Sequence, residues 1–370
     1  WRLSRRVMKI IKARNVNDAL ERGIDLFQDS TEYRVQESRN GITYEANTPV
    51  TTVYEKPWER VCLIKQRDAN PFFHFIEGLW MLDGRNDLEP LTYFVKSMFD
   101  FSDDGETLWG AYGWRWRSYF NKDQITAIIG LLKENPYERR AVLQMWDPKD
   151  DLARTCNKKV ERKDVPCNTN IYFKVRDGKL CMTVCNRSND MLWGAYGANV
   201  VHMSMLQEFV AHNLNLPMGD YTQISDSFHI YPNNPVWEKV KDIEVDVYTY
   251  KHIKNHYDLI DEYEPVPIVN EITSFNREIR FFFDYFETFR YSPKEMLKRT
   301  DDIEWDNNIF PDVAVPMLKA FHYHKQRDYL NSYREVQSIK ALDWMEACFE
   351  WIRKRDTAYT LNNADIGESK

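Results

Sequence analysis

Cysteine is scarce in this chain, with 6 among 370 residues, and none of Cys62, Cys156, Cys167, Cys181, Cys185 and Cys348 forms a CxxC pair. That excludes a scaffold built on disulfides and points to free thiols in a reducing, cytoplasmic setting. Long apolar runs are missing too. None approaches the roughly 20 residues that a membrane span needs, and no stretch resembles a signal peptide. Positive charge is in deficit, with 50 Lys and Arg against 57 Asp and Glu and a net charge of −7. This balance argues against polymeric nucleic acid as a partner, because duplex binders carry a basic face that displaces counterions from phosphates. A small anion stays open to the chain, since a few arginines hold one phosphate whatever the total charge. Neither GxGxxG nor GxxxxGK[ST] occurs, so nothing supports a dinucleotide fold or a nucleoside triphosphatase. No internal repeat or low-complexity linker is found.

What is present is ample material for a core, 43% hydrophobic residues of which many are aromatic, and a legible order of elements. Residues 7–28 carry helical spacing (Ile10, Ile11, Val16, Ala19, Leu20, Ile24, Leu26) and lead into a polar stretch ending at Gly41. Residues 42–54 alternate as a strand does. Asn70-Pro71 opens a helix with Phe72, Phe75, Leu79 and Leu82 on one face, Glu77 set among them, and Gly84 at its end. Residues 123–134 are again helical, stopped by Asn135-Pro136, and 141–146 read as a strand behind Arg139-Arg140. Residues 170–176 and 180–184 alternate on either side of Asp177-Gly178 and predict a β-hairpin, with Cys167 just before its first strand and Arg187 just after its second. A glycine-rich turn at 194–197 precedes a helix over 200–212, a short strand follows at 221–231, and 314–353 read as two or three amphipathic helices. The economical description is α+β: a catalytic domain over residues 1–300 and a helical C-terminal extension over 301–370 packed on it.

Several residues could carry chemistry. Cys167, preceded by Pro166 and followed by Asn168-Thr169, stands in poor core sequence, and a thiolate there would be a strong nucleophile, favoured by the arginine that the hairpin brings to the adjacent strand end. The plain alternative is a packing cysteine. Arg139-Arg140 and Arg187-Ser188 could cradle an anion, since guanidinium forks fit phosphate bidentately; solvated surface charge is the alternative. Glu77 on an apolar face needs a partner or a shifted pKa, as an acid/base group or as a structural ion pair. His229 and Tyr231 alternate on one face and could hold a sugar hydroxyl. The pairs His252/His256 and His322/His324 supply too few ligands for a metal, and none is expected.

Taken in order, Glu77-Gly78-Leu79-Trp80, Ala111-Tyr112-Gly113-Trp114-Arg115-Trp116-Arg117, Arg139-Arg140, Pro166-Cys167, Asn186-Arg187-Ser188-Asn189-Asp190, Asn199 and His229-Ile230-Tyr231 resemble thymidylate synthase and its pyrimidine hydroxymethylase relatives. The resemblance covers roughly residues 39–234. It implies a thymidylate synthase-like fold, with helices flanking a mixed β-sheet that forms the interface of a homodimer. It implies Cys167 as the nucleophile that adds to C6 of a pyrimidine nucleoside monophosphate, and Arg187, Ser188 and Arg39 with the partner subunit's Arg139 and Arg140 as the phosphate site. Glu77 would organise the proton transfers around O4 and the folate, and Tyr112 would support proton removal from C5. Asp190 and Trp80 would contact the folate, Asn199 would read N3 and O4 of the base, and His229 with Tyr231 would bond the sugar 3′-hydroxyl. The co-substrate implied is 5,10-methylenetetrahydrofolate.

The two family chemistries part at the last step. Hydride from the folate gives a methyl group, water gives a hydroxymethyl group, and exclusion of water decides between them. Family members that make the methyl group generally follow the cysteine with histidine, where this chain has Asn168, and end in a short apolar tail, where residues 361–370 are polar. Both departures favour a hydroxymethylase of the kind encoded by phages that hypermodify their DNA, acting in the host cytoplasm. An amide at Asn199 suits uracil over cytosine, for which relatives use a carboxylate. The Arg187-to-Asn199 spacing is one residue longer than the family's, and a shifted register would put Ala198 there. Thymidylate synthase, dCMP hydroxymethylase and a nucleotide-binding regulator without activity are the alternatives, the last disfavoured by the retained thiol.

Overall fold

A computed structural model describes residues 7–152, 162–243, 256–261, 263–293 and 304–356; Cys156, His252 and the tail 361–370 lie outside them.

The first segment is not one helix. Strand β1 (Lys9–Ala13) buries Ile11 and Ala13 and exposes Ile10 and Lys12, a period of two that the adjacent isoleucines disguise. Asn15 then caps helix α1 (Val16–Gln28), its side-chain oxygen accepting from the backbone N–H groups of Asn17 and Asp18. The polar stretch that follows holds β2 (Tyr33–Ser38), and the single strand expected over 42–54 is two, β3 (Gly41–Ala46), which forms a hairpin with β2, and β4 (Val50–Tyr54). Helix α2 (Pro71–Asp83) has the bounds its sequence announces: Asn70 caps its start with Pro71 as the first residue, and Gly84 ends it at φ 79°.

Short helices α3 (Glu89–Phe94) and α4 (Tyr112–Arg117), then α5 (Gln124–Glu134), lead to β5 (Val142–Gln144) and α6 (Pro148–Asp151). The predicted hairpin is β6 (Asn168–Arg176) and β7 (Lys179–Asp190), turning at Asp177 (φ 49°) and Gly178 (φ 72°). Arg187 therefore lies inside β7, not beyond it. A π-helical turn, Met191–Ala198, runs into α7 (Asn199–Asn213), and β8 (Met218–Ile230) starts earlier than its alternation shows. Helices α8 (Pro235–Val240) and α9 (Ile272–Tyr291) precede three helices in the C-terminal segment, α10 (Val315–Lys325), α11 (Tyr329–Gln337) and α12 (Leu342–Arg353).

The sheet runs β1-β4-β8-β7-β6-β5, with β3 also pairing the end of β8 and β2 pairing β3. It is mixed, β7–β8 and β1–β4 being parallel. The register puts Ile171, Phe173, Met182, Val184, Tyr221 and Gln223 on one face, where they are buried. On this side α2 and α7 pack against each other, both buried around most of their circumference. Val142 and Tyr172, paired across β5 and β6, turn to the other face with Ile10 and remain exposed. Beyond α2, on the side of the C-terminal helices, Phe72 packs against Phe321 and Trp351 at 5.4 and 5.5 Å between ring centroids, and Phe75 against Trp344 at 5.1 Å.

Candidate active site

A β-bulge sets the nucleophile candidate. Asn168 pairs with Asn186 and Asn170 with Cys185, so Thr169 is the extra residue on β6, and the Arg187 N–H donates to the Cys167 carbonyl at 2.9 Å. The Arg187 guanidinium then lies along the segment before the cysteine: Nε donates to the Pro166 carbonyl at 3.0 Å and Nη2 to that of Val165 at 3.1 Å, and the group stands 5.5 Å from the Trp146 ring centroid. From the β2–β3 turn, Arg39 reaches the same segment, donating to the carbonyls of Arg162 and Lys163 at 3.1 and 3.0 Å. The two arginines thus bracket residues 162–167. Burial pushes the Cys167 thiol above its ordinary value; Arg187 and Arg39 pull it down, while the carboxylates of Asp164 and Asp190 push it up.

Tyr112, at the start of α4, lies close enough to the thiol to feel its charge. Burial holds its phenol well above the usual range, and Cys167, Asp164 and Glu77 add to the push. Asn168, wholly buried, presents its amide towards Tyr112, yet neither amide atom closes a well-formed hydrogen bond among the described residues. Asp164 accepts the Gly110 N–H at 2.8 Å, and burial raises its carboxyl to about 6. Glu77 is 7% exposed on α2, and its Oε2 lies 2.8 Å from Nε2 of His202 on α7.

Three residues past Arg187, at the last residue of β7, Asp190 caps the π-helical segment by accepting the Trp193 N–H at 2.6 Å. Burial raises its carboxyl, against the pull of that hydrogen bond and of His229 and Arg67. Asp190 and His229 are neighbours across the β7–β8 ladder, Ser188 stands two residues before, and the rings of His229 and Tyr231 meet edge-on at 5.4 Å. The segment Met191–Ala198 is broken at Tyr196 and Gly197, whose backbone angles are not helical, and Asn199 is buried at the first position of α7. Its Nδ2 donates to Asn189 Oδ1 at 3.1 Å, a contact that requires glycine at 194, where a Cβ would come within 2.6 Å of the same oxygen.

Cys167, Arg187, Arg39, Tyr112, Glu77 and Asp190 are thus brought together. Trp80 is not: it sits in the core, with its indole N–H on the Asp87 carbonyl and carboxylate at 3.0 and 3.2 Å. Arg139 and Arg140 are exposed at the β5 edge, and Arg140 pairs with Glu138 at 2.8 Å. Four further residues join the candidate site. His202, Asp164 and Arg67, whose guanidinium donates to the Leu192 carbonyl beside Trp193, carry no motif in the sequence, and Asn168 stands out there only as a departure from the family. A basic residue inside the apolar run of α7 was the one available signal for His202.

Comparison with known proteins gives the arrangement a family. The sequence profile described as "Thymidylate synthase" matches residues 30–298. A "Deoxyuridylate hydroxymethyltransferase" of Pseudomonas phage M6 is 41% identical over 366 residues, 96% of this chain and 97% of that protein. Proteins of the same description from Bacillus phage SP01 and Delftia phage PhiW-14 are 34% and 31% identical, over 64% and 60% of this chain and 64% and 62% of theirs. The crystal structure of thymidylate synthase from T4 phage aligns with a TM-score of 0.47 and 22% identity, over 60% of this chain and 78% of that one. The chain belongs to the thymidylate synthase family.

Proposed function

We propose that this chain is a dUMP hydroxymethyltransferase, joining a one-carbon unit from 5,10-methylenetetrahydrofolate to C5 of dUMP and completing the group with water. The observation that carries this reading is the gathering of a half-buried thiol, Cys167, with two arginines, Tyr112 and Glu77 in one cluster. The phage relative similar along nearly its whole length supports the choice of product.

Arg187 and Arg39, helped by Ser188, hold the nucleotide phosphate and favour the thiolate. Cys167 adds to C6, the C5=C6 electron pair moves through C4 to O4, and C5 becomes nucleophilic. Asn199 reads N3–H and O4 with an amide, which offers both an acceptor and a donor. His229 and Tyr231 bond the sugar 3′-hydroxyl. Asp190, with a buried Oδ2 that has no partner among the described residues, and Trp193, an exposed indole beside it, fit the polar edge and flat face of a pterin. A reduced folate held there would supply the one-carbon unit to C5 and leave as tetrahydrofolate, its bond to the transferred carbon breaking as the C5 proton is removed. Tyr112 supports removal of the C5 proton. Glu77 takes the proton that water gives up as its oxygen bonds to the new exocyclic carbon, and departure of the Cys167 thiolate from C6 restores the ring.

A homodimer completes the site. The uncovered sheet face forms the interface, and Arg139 and Arg140, remote from their own thiol, reach the partner's phosphate. The test is incubation with dUMP or dCMP tritiated at C5, plus methylenetetrahydrofolate. Release from dUMP, absent from C167S, is expected; release from dCMP alone contradicts the base assignment, and release from neither contradicts the reading.

A further inference from the structure

Glu77 and His202 face each other where α2 crosses α7. The crossing is close because residue 78 is glycine: a Cβ there would come within 2.3 Å of the Met205 sulfur. Both side chains are nearly sealed from solvent, and the 2.8 Å between Glu77 Oε2 and His202 Nε2 falls short of a well-aligned hydrogen bond. The other ring nitrogen, Nδ1, also finds no partner among the described residues. One turn earlier on α2, burial and the neighbouring Arg67 and His202 hold His74 well below its ordinary value, so it brings no proton to the pair. A carboxylate and an imidazole placed thus in a dry crossing are costly unless they serve each other. Catalytic hydrogen bonds are often loose in the free enzyme and tighten with substrate.

We infer that His202 is a positioning residue for the reaction proposed above: it binds Oε2 of Glu77 and thereby turns the second carboxylate oxygen towards the pyrimidine, where the water proton is taken. His202 touches neither substrate nor folate and acts through Glu77 alone. The inference rests on the functional reading, and its test separates the two.

Two substitutions differ in reach: in H202Q the amide N–H can meet Glu77 Oε2, while the shorter H202N cannot. For H202N, dUMP affinity is expected to stay within about twofold of the parent, KM to change little, and kcat for hydroxymethyl product to fall by about tenfold or more. H202Q should recover most of that loss. The double variant H202N/E77Q should be no worse than E77Q alone, because the two residues act as a unit. A merely structural role would instead weaken dUMP binding and give additive losses. Should H202N not accumulate folded, the cycle is run with H202M, which removes the polar ring at similar size. Parent-level kcat in H202N or H202M, or additive losses in the cycle, overturns the inference alone. No tritium release by the parent overturns the functional reading and the inference with it.

Discussion

At the scale of single residues the account turns on what sets the Cys167 thiol. Burial and two carboxylates raise it, and two guanidinium groups lower it. Asp164, ionised above about 6, is the carboxylate that weighs most in that balance. D164N should therefore raise the thiolate fraction and speed alkylation of Cys167 by iodoacetamide at neutral pH, and R187Q should slow it. Equal rates in both variants would show that burial alone governs the thiol. Cys167 was legible in the sequence because proline before it and polar residues after it make a poor core, and Arg187 because the hairpin turn fixes the pairing of the strand ends. His202 was not legible, since α7 is buried nearly all round and a histidine inside such a helix has no periodicity to violate.

Among elements, α2 bears the most. It carries Glu77, packs on α7 across Gly78, and is covered on the side of the C-terminal helices by α10 and α12, which lie beyond the family-matched residues. Phe72 is wholly buried between Phe321 and Trp351, so F72A should cost about 3–5 kcal/mol of stability, measured by denaturant unfolding. A loss below about 1 kcal/mol would mean that the C-terminal helices do not support α2. The sequence located α2 to the residue, because its proline, cap and terminal glycine are local signals. It shows neither β1 nor β2, because a strand polar along its whole length carries no alternation and two adjacent isoleucines imitate helical spacing, and it runs β3 and β4 into one strand. The glycine-rich turn expected at 194–197 falls on a break in a π-helical segment, where Tyr196 and Gly197 leave helical angles.

For the whole molecule, buried residues from Ile11 in β1 to Ile352 in α12 form one continuous core, so the C-terminal helices are part of the same body as the site. The proposed homodimer predicts complementation. Subunits of C167S and of R139A/R140A, each inactive or nearly so as homodimers, should recover activity when refolded together, since a mixed dimer holds one intact thiol facing one intact arginine pair. Mixtures that stay as inactive as their parts would place both arginines outside the reaction. The central claim is narrower still, that water completes the group on C5. It is met most directly by running the dUMP reaction in water enriched in oxygen-18 and weighing the nucleotide product: the account predicts a hydroxymethyl nucleotide carrying one heavy oxygen with no dihydrofolate formed, whereas unlabelled thymidylate with an equal amount of dihydrofolate would contradict it.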